Sequence, residues 1–449
     1  MKDDTMQDSP SGGARMPLTL AQLDFWEEFR FHPGEPVSTV GHAVRLEGDL
    51  DAPALARAID RACREAEVLS LRFHPGPEGV TQSLDPARMP QVVTGDLRGL
   101  PDPEEEAQAR IAADMGAELD LARDPLSRQR LWRTGERRWL WYNRGHHIVL
   151  DGYGVALFEA RVAQLYRHGT GRGTQGAPFR GFAEFLDEDA AYAAGPSFAR
   201  DRAFWQAQLA RPGRLPVLRK GGEDYAAAGH YAEPALEARL PARLAELAAA
   251  TGIGWPDLLV LAASAYLHGN LPREEDMLPV WLPCMSRLGS VAARVPCLAV
   301  NILPLHVGLS AAEPFGAWLE RMGRELRALR RHGRYRIEQI AADRGIGAGR
   351  RFFFSPLVNV MPFDPPDFAG CTATREVLAN GPADGFNLSF RADSRGRGLE
   401  LAMDADPKLT TAAEFRRHVA EIPAFLARCL DPAALGAPLG ALLAPGLPA

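Results

Sequence analysis

The sequence predicts an α/β protein in two lobes. Helix-period and strand-period segments alternate along the chain, and one stretch that lacks either period divides it. That stretch, His168 to Pro178, is rich in Gly, Thr, Arg and Gln, the composition of a surface linker. At about 150 residues per domain, 449 residues fit two or three domains or one large two-lobed unit. The expected division is a leader over 1–15, an N-terminal lobe over 16–172 and a C-terminal lobe over 173–449.

Met1 to Arg15 is polar and rich in Gly and Asp, without the apolar run of a signal peptide, and reads as a disordered leader. Leu18 to Phe31 spaces Leu20, Leu23, Phe25, Trp26 and Phe29 close to one helical face. His42, Val44 and Leu46 alternate with smaller or polar neighbours, as in a half-buried strand. Beyond Gly48, Asp51 and Pro53 begin a helix with Leu55, Ala58, Ile59 and Ala62 on one face. Val68 to Phe73 reads as a strand. Arg138 to Arg144 carries Trp139, Leu140, Trp141 and Tyr142, all favoured in strands, and runs into Gly145-His146-His147. Gly152 and Gly154 shape a turn into a helix expected over Val155 to Arg167.

The second half is also α/β. Helical segments are expected at Phe182 to Leu209, Leu244 to Ala250, Pro256 to Leu267 and Phe315 to Arg331. Strands are expected at Met277 to Leu282, Cys297 to Val307, Leu357 to Val360, Phe386 to Phe390 and Leu399 to Met403. No repeat of 20 to 50 residues is present, which sets aside solenoids and propellers.

Composition narrows the function. With 46% hydrophobic and 24% charged residues the chain is an ordinary globular protein, and no stretch approaches the roughly 18 apolar residues that cross a bilayer. A net charge of -6 and a pI near 6.0 argue against a general nucleic-acid binder. A local basic cluster, Arg324, Arg327, Arg330, Arg331, Arg334 and Arg336, reads as a solvated helix face or a docking surface for an acidic partner. Five scattered cysteines support neither a disulfide framework nor a zinc site, so reduced thiols in a cytoplasmic protein are expected. There is no phosphate loop, nucleophile elbow or HExxH motif, so ATP-driven activation and serine hydrolysis lose support.

The chemistry concentrates in His146-His147-Ile148-Val149-Leu150-Asp151-Gly152. A neutral imidazole can take a proton from an attacking amine or hydroxyl, or hold it in position, and a thioester donor needs no nucleophilic serine. His147 is the candidate base. A backbone N–H near Gly152 or at the following helix start could hold the oxyanion. Asp151 could be a second base, but its apolar flanks favour a buried structural anion paired with an arginine. Successive strand residues face opposite ways, so His146 and His147 are poorly placed to share a metal, and none is expected. His146 reads as a core histidine.

These residues resemble the condensation domains of nonribosomal peptide synthetases, whose signature His-His-x-x-x-Asp-Gly is met in full from His146 to Gly152. Leu18-Thr19-Leu20-Ala21-Gln22 with Phe25-Trp26 is similar to that family's opening Ser-x-Ala-Gln-x-x-x-Trp, with Thr for Ser. Arg64 to Phe73, Val300-Asn301-Ile302-Leu303-Pro304-Leu305, Arg331 to Tyr335 and Phe354 to Asn359 resemble its other motifs in order, from about Pro17 to about Leu443. RWLWYNRGHHIVLDGYG, RRHGRYRIEQI and SPLVNVMPFD resemble the subgroup around the serine-activating enterobactin synthase component, which raises an aryl or related starter acid as donor in siderophore-like biosynthesis.

The resemblance implies two chloramphenicol acetyltransferase-like lobes forming a V-shaped pseudo-dimer, with the histidine motif at their junction. It implies His147 as the catalytic histidine, Asp151 as mainly structural with Arg287 its partner, and Asn301 near the site. It implies an acyl donor carried on the phosphopantetheine of a partner carrier protein, no intrinsic cofactor, and an amine or hydroxyl acceptor on a second carrier or in solution. The absence of a carrier-protein serine motif or an adenylation segment reads as a freestanding enzyme or one dissected domain. A carrier-recruiting module without activity, and a coenzyme A-dependent acyltransferase of the same superfamily, are the alternatives.

Overall fold

The computed structural model describes residues 14–32, 34–36, 38–210, 219–220, 229–272, 276–346, 351–380 and 385–444, so the expected leader over 1–15 lies almost wholly outside the described residues. Two units form. The first takes residues 1–189, 289–299 and 365–381, and the second takes 190–288, 300–364 and 382–449. Compactness thus divides the chain several times, where the sequence predicts one division at 172/173. The physical reason is a strand returned from late in the chain.

That strand, Cys371–Asn380, lies antiparallel along Thr39–Gly48, from Cys371 opposite Gly48 to Asn380 opposite Val40. The five-stranded sheet runs Cys371–Asn380, Thr39–Gly48, Arg138–His146, Ser127–Arg133, Val92–Asp96, antiparallel except for the last pair. Its central strand, Arg138–His146, is buried on both faces. Trp141 packs on Phe158 and Phe368, whereas Leu140 and Tyr142 join Ala43, Leu97, Ala107, Ile111 and Trp132 in a second cluster. Period-two alternation delivers aromatic bulk to both sides, which fixes the register.

The opening helix, Leu20–Phe31, starts at a capping box. Thr19 Oγ1 accepts the Gln22 N–H at 3.1 Å, and Gln22 Oε1 accepts the Thr19 N–H at 3.0 Å. Gln22 also exchanges side-chain amide bonds with buried Gln82, so the Thr-x-x-Gln spacing serves both helix nucleation and docking. A cap of this kind contributes about 1 kcal/mol.

In the second unit six strands pair in the order Asn301–Gly308, Met277–Cys284, Leu357–Pro362, Phe386–Ala392, Glu400–Ala405, His230–Ala232. The long helix Phe315–Arg331 falls where periodicity puts it and buries Phe315, Trp318, Leu319, Met322, Leu326 and Leu329. Trp255–Asn270, expected as a helix, is buried along most of its length.

Three expectations need correction. Glu67–Ser70 forms a 3-10 turn before the strand Leu71–Gly76, because the Ser70 hydroxyl donates back to the Glu67 carbonyl at 2.8 Å. The strand predicted from Cys297 begins at Asn301: Cys297 and Ala299 are buried, but the Ala299 N–H donates to Asp151 rather than to a ladder. The helical region Phe182 to Leu209 is two helices, Phe182–Ala194 and Pro196–Leu209, broken at Gly195 with Pro196 as the first helical residue. All five cysteines are free thiols, and no single described helix is long and apolar enough to cross a membrane.

Candidate active site

The signature residues sit where the central strand Arg138–His146 ends and the helix Gly152–Gly169 begins. His146 closes the ladder opposite Thr39, and the His147 N–H continues it by donating to the Ser38 carbonyl at 2.7 Å. The side chain of His147 is half-buried. Its ring stacks on Phe25 of the opening helix, with centroids 5.1 Å apart and planes 8° from parallel.

The two ring nitrogens of His147 differ. Nδ1 is sealed from solvent and has no hydrogen-bond partner among the described residues, which leaves Nε2 as the nitrogen not closed off. Burial lowers the His147 pKa from the usual histidine value, against the opposing charges of Asp151 and Glu28 and the facing carbonyls of His147 and Leu150. At neutral pH the ring is therefore uncharged.

His146 is a scaffold residue by its contacts. It is buried, and its Nδ1 accepts the Ile148 N–H at 3.0 Å, so that nitrogen carries no proton. Burial first, then His147 and Arg144, push its pKa down to about 3.

Asp151 caps the helix. Oδ1 accepts the Gly154 N–H at 2.8 Å, and Oδ2 accepts the Ala299 N–H at 2.9 Å, from 148 residues further along the chain. A buried carboxylate satisfied by backbone donors fixes the turn, and it occupies the Gly154 N–H that would otherwise be an oxyanion donor. Gly152 is the first helical residue. A Cβ on Gly154 would lie 3.1 Å from the Cys297 oxygen and 3.3 Å from Asp151 Oδ1, so the glycine permits the 289–299 segment to approach. Gly154→Ala is expected to destabilise the protein by about 1–3 kcal/mol. A urea midpoint equal to that of the parent would show that the segment yields without cost.

In the second unit, Cys284 pairs with Asn301, so Arg287 and Asn301 belong to one end of that sheet. Asn301 is buried with its amide fully used. Nδ2 donates to the carbonyls of Gly333 and Tyr335 at 2.9 and 3.1 Å, and Oδ1 accepts the Ile337 N–H at 3.1 Å. It therefore ties down the 333–337 loop. Arg287 is buried as well.

The basic cluster is largely neutralised. Arg324 pairs with Glu320, Arg330 with Asp257 and Arg336 with Glu338, while Arg334 lies 4.4 Å above the Tyr192 ring. Arg327 and Arg331 are exposed.

Sequence reasoning missed a charged cluster under the signature helix. Glu159, fully buried, receives His42 Nδ1 on one oxygen at 2.7 Å and Arg375 Nε on the other at 2.8 Å. It also missed Glu28, a buried carboxylate whose only sequence signal is its place with Ala21 and Phe25 at i, i+4 and i+7.

With this geometry in place, the match to known proteins is decisive: the family described as Condensation domain matches residues 14–432. The chain belongs to the condensation-domain family. This condensation domain is 34% identical to VibH, an NRPS condensation enzyme, with a TM-score of 0.83 over 94% of this chain and 100% of that one. It is 33% identical over 417 residues to the isonitrile lipopeptide synthase of Streptomyces coeruleorubidus, covering 92% of this chain and 28% of that protein. It is 30% identical over 434 residues to enterobactin synthase component F of Escherichia coli O157:H7, covering 94% of this chain and 33% of that protein. The chain thus spans a third or less of these curated relatives.

The mixed α/β fold is that of condensation-domain structures, and the resemblance to the enterobactin component holds. Condensation domains are amide-forming acyltransferases that work on carrier-bound substrates, which sets the enzyme class of this domain.

Proposed function

We propose that the domain transfers an acyl group from the phosphopantetheine thioester of a carrier protein to an amine or hydroxyl acceptor, with His147 as base or positioning residue. The observation that carries this reading is the asymmetry of the His147 ring: one nitrogen sealed, the other open, and the whole uncharged at neutral pH. The acceptor nitrogen or oxygen attacks the thioester carbonyl as its proton moves to Nε2. The C–S bond then breaks, and the departing thiolate takes up a proton.

His146, Asp151 and Gly152 hold the turn, and within the second unit Asn301 supports the loop beside Arg287. The acceptor is a carrier-bound or small free nucleophile. The donor class favoured by the likeness to component F is an aryl or related starter acid, and the compartment is the cytoplasm.

The test is a reconstituted reaction with a panel of acyl-loaded carriers and candidate acceptors, read by mass spectrometry alongside carrier binding. Product from carrier-bound donor is expected. Binding without transfer would instead indicate a recruitment module, and equal rates from free acyl-coenzyme A would indicate a coenzyme A-dependent acyltransferase.

A further inference from the structure

Helix Leu20–Phe31 reaches His147 in two ways. Phe25 covers one face of the imidazole. One turn later Glu28, only 3% exposed, accepts a short hydrogen bond from the Ser38 hydroxyl, and the Ser38 carbonyl accepts the His147 N–H at 2.7 Å. Ser38 adopts φ 54°, the left-handed region that non-glycine residues avoid unless their surroundings impose it. Here two bonds impose it, one at the hydroxyl and one at the carbonyl.

We propose that Glu28 and Ser38 are a positioning pair for the His147 imidazole: Glu28 anchors Ser38, and Ser38 fixes the backbone from which the stacked ring projects. This deepens the reading of His147 as the base and rests on it. Glu28 has a second, electrostatic effect. Asp151 in the turn and Glu28 on the opening helix favour the protonated ring, whereas neighbouring His146, with its pKa pushed down to about 3, is uncharged where His147 titrates. Without the Glu28 charge, His147 becomes harder to protonate and a weaker base.

Glu28→Gln keeps the shape and an acceptor for Ser38 but removes the charge. The acid limb of its kcat/KM profile is expected to move to lower pH, with kcat reduced several-fold and KM little changed. Ser38→Gly suits φ 54° and removes the CH2OH side chain through which Glu28 holds Ser38. Its kcat is expected to fall about 10-fold through misplacement of the ring, without loss of thermal stability; a purely structural role would lower the melting temperature instead. Titration of 15N-labelled His147 by NMR reads the coupling without turnover, and in Glu28→Gln its midpoint should move the same way as the acid limb. An unmoved NMR midpoint together with an unmoved limb would overturn the proposal while leaving the base assignment intact. If His147→Ala itself turned over normally, the base assignment would fail, yet the NMR titration would still report whether Glu28 senses the ring.

Discussion

His147→Ala is expected to lower turnover by roughly 100-fold or more, because a positioned general base contributes on that scale. Carrier binding and stability should change little, since the side chain contributes a stack on Phe25 and no side-chain hydrogen bond among the described residues. The pH dependence has a definite sign. The base form is the neutral ring, and burial holds its pKa below the usual 6.5, so activity should stay level through neutral pH and decline only on the acid side of that value. A turnover number for His147→Ala equal to that of the parent would remove this residue from the chemistry. An acid limb above pH 7 would show instead that the ring is better stabilised as a cation than its surroundings imply.

The largest effect on stability is expected at Glu159. Glu159→Ala removes the buried carboxylate that His42 and Arg375 share, side chains only 11% and 13% exposed. Removing one partner from a buried ionic cluster costs roughly 3–5 kcal/mol, more than the intact cluster contributes over an apolar substitute. Burial alone would raise the Glu159 pKa, but His42 and Arg375 outweigh it, so the folded value lies below the usual 4.5. A carboxylate with a depressed folded pKa stabilises above its unfolded pKa, and that contribution disappears as pH falls through the folded value. Urea midpoints for the parent should therefore drop as pH is lowered below the carboxylate range, and Glu159→Ala should flatten that dependence. Equal pH slopes for the two proteins would place the acid sensitivity elsewhere.

Much of this was legible in the sequence wherever period and chemistry coincide. The helix Phe315–Arg331 was readable to the residue because its apolar positions repeat at helical spacing. The signature strand was readable because Trp139 to Tyr142 combine strand propensity with a glycine exit. Its two-sided burial was not, since continuous aromatic runs do not reveal which layers they face. Cys371–Asn380 escaped because charged Arg375 falls on the same face as Cys371, Ala373 and Val377 and breaks the apolar alternation, and the strand owes its form to the ladder with Thr39–Gly48. The site divides in the same way. His146, His147 and Asp151 form one local motif, while the Glu159 cluster joins residues 117 and 216 positions away, a separation that local pattern does not encode. Cys297 to Ala299 shows the converse, an apolar run that reads as strand yet uses its backbone to satisfy Asp151.

The late arrival of Cys371–Asn380 has a consequence for synthesis on the ribosome. When residue 189 has emerged, the strand Thr39–Gly48 is paired on one side only, and its second neighbour requires roughly 190 further residues. At about 5–20 residues per second that is a wait of roughly 10–40 s. Throughout it the nascent first unit presents a ten-residue open edge, the kind of template on which chains associate wrongly. Slow elongation between residues 190 and 381 would lengthen that exposure, so the yield of this protein should depend on translation speed in the middle of its message more than at its start.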